Sequence, residues 1–379
     1  MNGIELFDPA AGPGIGWPAG CEADRAYLQA FTTHGAPALI ANLRTRLMGL
    51  RCGDRILPVT INEAEYGDAY VCLPHSAYAL YAKAELKIVD AGPWSPALGL
   101  LADVAGLAMR AARVNRVVHL GNWMVSTNLH GGWRGDDITE IRAILIKAFP
   151  DHLLAVRSLT RWSDADLCDS LAADGWLLLP SRQIYVTDDL AQDWAPHRDT
   201  RRDLALLAAS AAQVDHLDTL RPGDAARIAQ LYAMLYLERY SRLNPAFTPA
   251  YVEMTHRSGI LRYRGLRGAD GVLSSVVGCL VRGGVLTTPI VGYDTARPEA
   301  DGLYRIASAM LAQMAMEAGA RLNGSAGAAD FKRHRGARPE LECSAYYAEH
   351  LSAGRRLTLR AMQKVLTRFA APLMAERGL

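Results

Sequence analysis

The residue types that chemistry needs are gathered most densely in one stretch, Asn323-Gly324-Ser325-Ala326-Gly327-Ala328-Ala329-Asp330-Phe331-Lys332-Arg333-His334-Arg335-Gly336. A strand pattern ends there, and small residues let the backbone approach a ligand with its N–H groups turned to an anion. Lys332 would supply a cationic donor for a developing oxyanion or a phosphate. A solvated basic loop is the alternative reading of the run from Lys332 to Arg335. Other polar residues stand where strand and helix patterns end: Tyr293-Asp294 after a long strand, Tyr304-Arg305 at the start of a long helix, and Tyr240, Arg242 and Asn244 after another helix. Tyr or Asp can relay the proton of an ammonium group, and Arg can hold a carboxylate. Each of these residues also has an ordinary structural reading.

Stronger motifs are missing. The chain has no GxxxxGK[ST], HExxH or GxSxG segment, so phosphate-loop, zinc-protease and serine-hydrolase chemistries have no support. Its six cysteines lie far apart without a CxxC pair, so no metal site is expected, and free thiols in a reducing cytoplasm are. Met1–Pro18 holds acids, glycines and prolines in place of a basic segment and an apolar run, so no signal peptide is expected. No stretch approaches the ~18 uninterrupted apolar residues of a membrane span, and no membrane partner is expected. With 41 Lys+Arg against 39 Asp+Glu there is no global field for nucleic acid. The charge is uneven, however: residues 331–379 carry ten Lys/Arg and four Asp/Glu. Arg355, Arg356, Arg360, Lys364 and Arg368 stand at spacings of four and five, so several share a helical face that suits a tRNA backbone or an acidic carrier protein, or else only solvent.

The elements that must position these residues follow from periodicity. A length of 379 residues suggests two domains, divided near Val186–Trp194 into 1–190 and 191–379. In the first, Thr45–Leu50 and Ile56–Ile61 read as strands across a turn. Tyr70–Leu73, Val114–Leu120, Leu153–Val156, Trp176–Leu179 and Gln183–Val186 are further strands. Helices are expected over Ala77–Leu86, Pro96–Arg113, Asp136–Phe149 and Ser163–Ala173, after an irregular lead-in of about 20 residues. The second opens with a helix over Arg201–Ala212 and a short strand at Val214–Leu217. Helices follow at Asp224–Tyr240, with Asp224 as N-cap, and at Pro249–Arg257 after the Thr248 cap. Strands at Ile260–Leu266, Val272–Val281 and Val285–Tyr293, a helix over Gly302–Ala318, strands at Arg321–Asn323 and Leu341–Tyr347, and a helix over Arg356–Phe369 complete it. Gly49-Leu50-Arg51 and Gly265-Leu266-Arg267 echo one another ahead of hairpins. Two turns can share such residues by chance, but the parallel order of elements argues for a duplication. Asn122–Asn128, a polar run after a strand, lines a groove or, as we favour, satisfies a buried turn. Tyr70, His75, Tyr78 and Tyr81 read as core or interface.

The element order and the segment ending in Phe331-Lys332 resemble the GNAT superfamily, and more closely the Fem-type aminoacyl transferases, which pair two GNAT-like domains. The resemblance covers about residues 195–350, and rests on element order alone over 30–190. It implies an α/β (α+β) protein of two GNAT-like domains, each a mixed, mostly antiparallel sheet flanked by helices. In Fem-type enzymes an arginine-rich stretch opens the second domain, matched here by His197-Arg198-Asp199-Thr200-Arg201-Arg202, and a Phe-Lys pair lines the donor site, matched by Phe331 and Lys332. Two features depart from the pattern. The (Q/R)xxGx(G/A) turn that holds the CoA pyrophosphate is replaced by Thr295-Ala296-Arg297-Pro298-Glu299-Ala300-Asp301-Gly302, and the coiled-coil arm is missing. The resulting expectation is a cytoplasmic transferase moving an activated acyl group onto a nitrogen of a small-molecule amine in metabolite biosynthesis. Aminoacyl-tRNA is favoured as donor over acyl-CoA or an acyl carrier protein, with no tightly bound cofactor and no metal. Lys332, Tyr293 and Asp294 are the expected catalytic residues. Phe331, Arg335, Ser325, Asn323, Tyr304, Arg305 and Tyr240 are the expected substrate contacts. A non-catalytic tandem scaffold is the alternative.

Overall fold

The computed structural model describes residues 3–10, 16–81, 83 and 95–377. The first half runs β1 (Ile4–Phe7), α1 (Glu22–His34), α2 (Ala36–Leu39), β2 (Arg46–Cys52), β3 (Arg55–Glu63), α3 (Ser95–Ala111), β4 (Arg116–Leu120), α4 (Ile138–Ala148), β5 (Leu153–Leu159), α5 (Arg161–Ala173) and β6 (Leu177–Thr187). The second runs α6 (Arg198–Ala209), β7 (Val214–Asp215), α7 (Asp224–Tyr232), α8 (Pro249–Arg257), β8 (Arg262–Arg267), β9 (Leu273–Arg282), β10 (Val285–Tyr293), α9 (Leu303–Glu317), β11 (Arg321–Asn323), α10 (Ala329–Arg333), β12 (Arg338–Tyr347), α11 (Ala353–Val365) and α12 (Ala371–Arg377). Among the described residues no helix is long and apolar enough to cross a membrane.

The strands form one sheet of 12 in the order β1-β2-β3-β4-β5-β12-β6-β11-β10-β9-β8-β7. Each strand of the first half has its counterpart six numbers on. Among the described residues the only parallel pairs, β4·β5 and β10·β11, are themselves counterparts. The Gly-Leu-Arg echo falls on the matching strands β2 and β8. This one-to-one correspondence supports duplication. The halves are then sewn together by exchange: β12 enters the first half's side of the sheet beside β5, while β6 enters the second half's side beside β11. Helices of the two halves also share a core, in which Tyr27 and Phe31 of α1 meet Tyr251 of α8 edge-on. Asn42 donates to the carbonyls of Arg242 and Asn244 across the same boundary.

Several expectations are corrected. Residues 4–7, inside the expected irregular lead-in, form an edge strand on β2. Tyr70–Leu73 is a buried turn without strand pairing. The two strands expected around Ser181-Arg182 are one, β6, because the polar side chains that suggested a turn are satisfied within the sheet: Ser181 donates to the Glu342 carbonyl and Arg182 pairs with the Glu342 carboxylate. Asp224 is not the N-cap of α7, a place taken by Gly223; its carboxylate pairs instead with Arg267. Thr248 does cap α8, its hydroxyl accepting the Tyr251 N–H. Part of the helix expected over residues 77–86, and residues 11–15 of the glycine-rich lead-in, lie outside the described residues.

Candidate functional site

The cleft begins where two parallel strands part. β10 and β11 pair only at Val285–Thr287 with Arg321–Asn323, and the β10 register on β9 slips between Thr287 and Ile290. β11 then ends, while β10 continues to Tyr293. The chain leaving β11 turns back through Ser325 and Ala328, both at positive φ (59° and 49°). The Asn323 side chain holds that turn by accepting the Ser325 N–H at 2.9 Å. On the other flank Gly292 allows α7 to lie directly against β10, since a Cβ there would come within 2.5 Å of the Leu231 carbonyl carbon. Two parallel strands that pair and then diverge, following three antiparallel strands and a helix, occur in the second half, and the first half has the matching element order. The fold is GNAT-like in both halves.

The GNAT-like cleft of the second half has a volume of about 930 Å3. Thr288, Pro289 and Val291 of β10 form one wall, and Gly324–Ala328 with Phe331, Lys332 and Arg335 form the other. Of the expected site residues, Tyr293, Asp294, Phe331, Lys332, Arg335, Ser325, Tyr304, Arg305 and Tyr240 all line it. Asn323 is not among the lining residues; it is buried and shapes the turn.

Lys332 donates to the carbonyls of Ser325 (3.1 Å) and Ala326 (2.8 Å). An ammonium group has three N–H donors, so one remains for a bound group. Burial in the cleft, with the Arg182 guanidinium as the second cause, brings its pKa down to about 7. Arg333 does not point away as a neighbour on a strand would: α10 carries both Lys332 and Arg333 over the ring of Tyr185, each 5.6 Å from its centroid.

Phe331 is held from below. Arg335 stacks on its ring at 3.4 Å and donates to its carbonyl at 2.8 Å. The fully buried Asp203 of α6 receives Arg335 and Arg305 together, each at 2.6 Å. Arg335 and Arg305 are thus engaged in bracing the wall. Gly336 fits this packing because a side chain would collide with Asp193, whose carbonyl oxygen lies 1.8 Å from the place of a Cβ. Asp294 accepts from Arg227 at 2.7 Å and from the Ala296 N–H at 3.0 Å. Burial raises its carboxyl, but these donors outweigh burial and hold it below the usual range, which makes it a weak base. The Tyr293 phenol, raised chiefly by burial, accepts from Arg239 at 3.3 Å.

The first half contributes side chains that the sequence did not single out for the cleft, Tyr70, Tyr81, Arg182 and Tyr185, together with Ser126 of the polar run for which a groove was the alternative reading. Tyr70 and Tyr81, expected in a core or interface, belong to it. Eight of the chain's 15 tyrosines line the cleft, so phenol rings recur around it, with Tyr232 stacked on Tyr236 at 4.9 Å. The spacing Tyr232, Tyr236, Tyr240 was the one local signal for this face. Arg182 is fixed by Glu342, the Ser126 carbonyl and the Thr127 hydroxyl. Asn122 and Asn128 of the same polar run satisfy a buried turn, as favoured from sequence.

A CoA pyrophosphate would need the amides at the start of α9. That turn instead carries Glu299 and Asp301, with Asp301 paired to Arg297, and Gly302 packs against Leu206. These carboxylates oppose a pyrophosphate.

No protein-family model and no curated protein matches the chain. Several solved structures are similar to it. The C-terminal domain of a putative lysylphosphatidylglycerol synthetase from Agrobacterium fabrum matches at 14% identity, covering 66% of this chain and 81% of that one with a TM-score of 0.45. FemX matches at 9% identity over 60% of this chain and 79% of its own, TM-score 0.45. A tandem GNAT protein from the clavulanic acid biosynthesis pathway matches at 11% identity over 93% and 100% of the two chains, TM-score 0.39.

Proposed function

We propose that this protein is a GNAT-like acyltransferase that moves an activated acyl group onto a nitrogen of a small molecule, in metabolite biosynthesis, with aminoacyl-tRNA as donor ahead of acyl-CoA or an acyl carrier protein. The observation that carries the reading is Lys332 at the head of the parted β10 and β11, two N–H groups fixed on carbonyls and one available. On the β11-facing side, β10 beyond Thr287 has no strand partner among the described residues, so its backbone there is open to the α-ammonium and carbonyl of an aminoacyl donor. The acyl carbon then comes under Lys332, with Phe331 as the donor-pocket wall. The acceptor nitrogen attacks, the C–N bond forms, and charge collects on the carbonyl oxygen, where the free Lys332 N–H stabilises it. Collapse breaks the bond to the leaving oxygen or sulfur, which takes the proton that the nitrogen loses. Tyr293, a neutral phenol beside the path, can relay that proton, and Asp294 serves to place Arg227 and the strand end.

The donor preference rests on the acids at the start of α9 and on the cleft cations. Arg239 and Lys332 have no carboxylate partner among the described residues, whereas Arg182, Arg297, Arg305 and Arg335 do. The two unpaired cations suit a phosphate-bearing donor that approaches by another route than the α9 turn. The deciding experiment incubates the protein separately with a charged tRNA pool and an acyl-CoA pool and follows donor consumption by mass spectrometry. Consumption of charged tRNA alone is expected. Consumption of acyl-CoA alone would overturn the donor assignment, and inertness toward both, together with activity-independent function of Lys332→Ala, would favour the scaffold.

A further inference from the structure

The C-terminal helix carries a pattern that the cleft does not use. Along α11 and the π-helical turn Leu366–Ala370 that follows it, Leu357, Ala361, Val365 and Phe369 recur every four residues and all are exposed, Leu357 to 70% and Phe369 to 63%. Arg356, Arg360, Lys364 and Arg368 form a cationic row one residue before it. Glu349 takes Arg360 at 2.7 Å and lies 4.0 Å from Arg356, whereas Lys364 and Arg368 have no carboxylate partner among the described residues. The opposite side of the helix is anchored. Leu359, Met362 and Leu366 pack with Met109 and Ala112 at the end of α3 over one face of the sheet, and Arg355 donates to the carbonyls of Ala112 and Arg113. α3 lies in the same layer and turns Val104 and Leu107 outward. Among the described residues, five of the ten exposed large apolar side chains therefore belong to these two adjoining segments, a concentration that solvent alone does not explain.

We propose that this layer docks on an anionic lipid bilayer, with the apolar row entering the headgroup–acyl boundary and the cationic row meeting lipid phosphates. A helix with a basic row beside an exposed apolar row lies in such an interface. Charge selects the occupant: the row is cationic and unneutralised at Lys364 and Arg368, which calls for an anionic surface. Shape agrees, since Leu357, Val365 and Phe369 protrude along about three turns of one helix as a ridge. The inference concerns peripheral contact and is independent of the transferase reading.

The test is flotation of the full-length protein with vesicles of phosphatidylcholine alone and of phosphatidylcholine mixed with phosphatidylglycerol. Partition to the anionic vesicles, weakening as salt is added, is expected. Leu357→Asp with Phe369→Asp, and separately Lys364→Glu with Arg368→Glu, should each lower partition at least about tenfold, while thermal midpoints stay with the wild type because all four side chains are exposed. Absence of partition, equal partition of the variants, or a wild-type dimer in size exclusion that Leu357→Asp dissolves would overturn the proposal.

Discussion

Lys332 combines two demands that usually conflict, a charge and a partly buried place in the cleft wall. Its turn carbonyls replace part of the lost water, and Arg182 adds repulsion. If its free N–H stabilises the oxyanion, Lys332→Ala should lower the single-turnover rate by about 10²–10³, and the kcat/KM of the wild type should fall as pH rises through about 7. Lys332→Arg, charged at every accessible pH, should lack that limb. A stability effect of definite sign accompanies this. Below about 7 the lysine is charged in both folded and unfolded chains, so the cost of burying its charge is fully present. Between there and the unfolded value of ~10.4 the folded chain has shed a proton that the unfolded chain keeps, and stability rises with pH. The thermal midpoint of Lys332→Met should therefore exceed that of wild type most at low pH, with the gap closing as pH approaches 10. Asp203 is the residue on which the Phe331 wall of the cleft rests. Asp203→Ala would leave Arg335 and Arg305 facing an empty buried position, and a loss of about 3–5 kcal/mol in urea unfolding is expected.

Elements show which features a local reading can reach. The hairpin strands, the Thr248-capped helix and the long α9 announce themselves by alternation, by a cap followed by proline and by helical period. β6 does not, because Arg182 looks like a turn residue until Glu342 arrives from a strand 160 positions away. The Phe331-Lys332 segment was legible for a similar reason in reverse: its small residues and cations lie together in the chain. The aromatic cleft walls were not, since Tyr70 and Tyr81 come from the other half. Helix irregularity gives a further clue that composition hides. π-helical turns at Ser76–Tyr81, Leu190–Trp194 and Ala233–Tyr240 each place side chains in the cleft, namely Tyr81, Trp194 and the pair Tyr236 and Tyr240; such turns recur at functional sites. The start of α9 bears on the proposed choice of donor. With Glu299 and Asp301 there, calorimetry should find acetyl-CoA binding weak, and pyrophosphate seated tightly on the amides near Leu303 would contradict this.

For the molecule as a whole, exchange of β6 and β12 makes the units expected from sequence interdependent. Cut at residue 190, the first piece leaves β5 without β12 and the second leaves β11 without β6. Neither 1–190 nor 191–379 should fold alone: each should show low helical and strand content by circular dichroism, with recovery when the two are co-expressed. Two independently folded pieces with sharp melting transitions would count against this. The same exchange sets a timetable for synthesis. β12 comes last of these 12 strands along the chain, yet its place is at the centre of the sheet, between β5 and β6. Until it emerges, the nascent chain carries two open strand edges in its middle, those of β5 and β6. A premature stop shortly before Arg338 would thus leave a wound at the heart of the protein, not a trimmed end, and would expose those edges to aggregation.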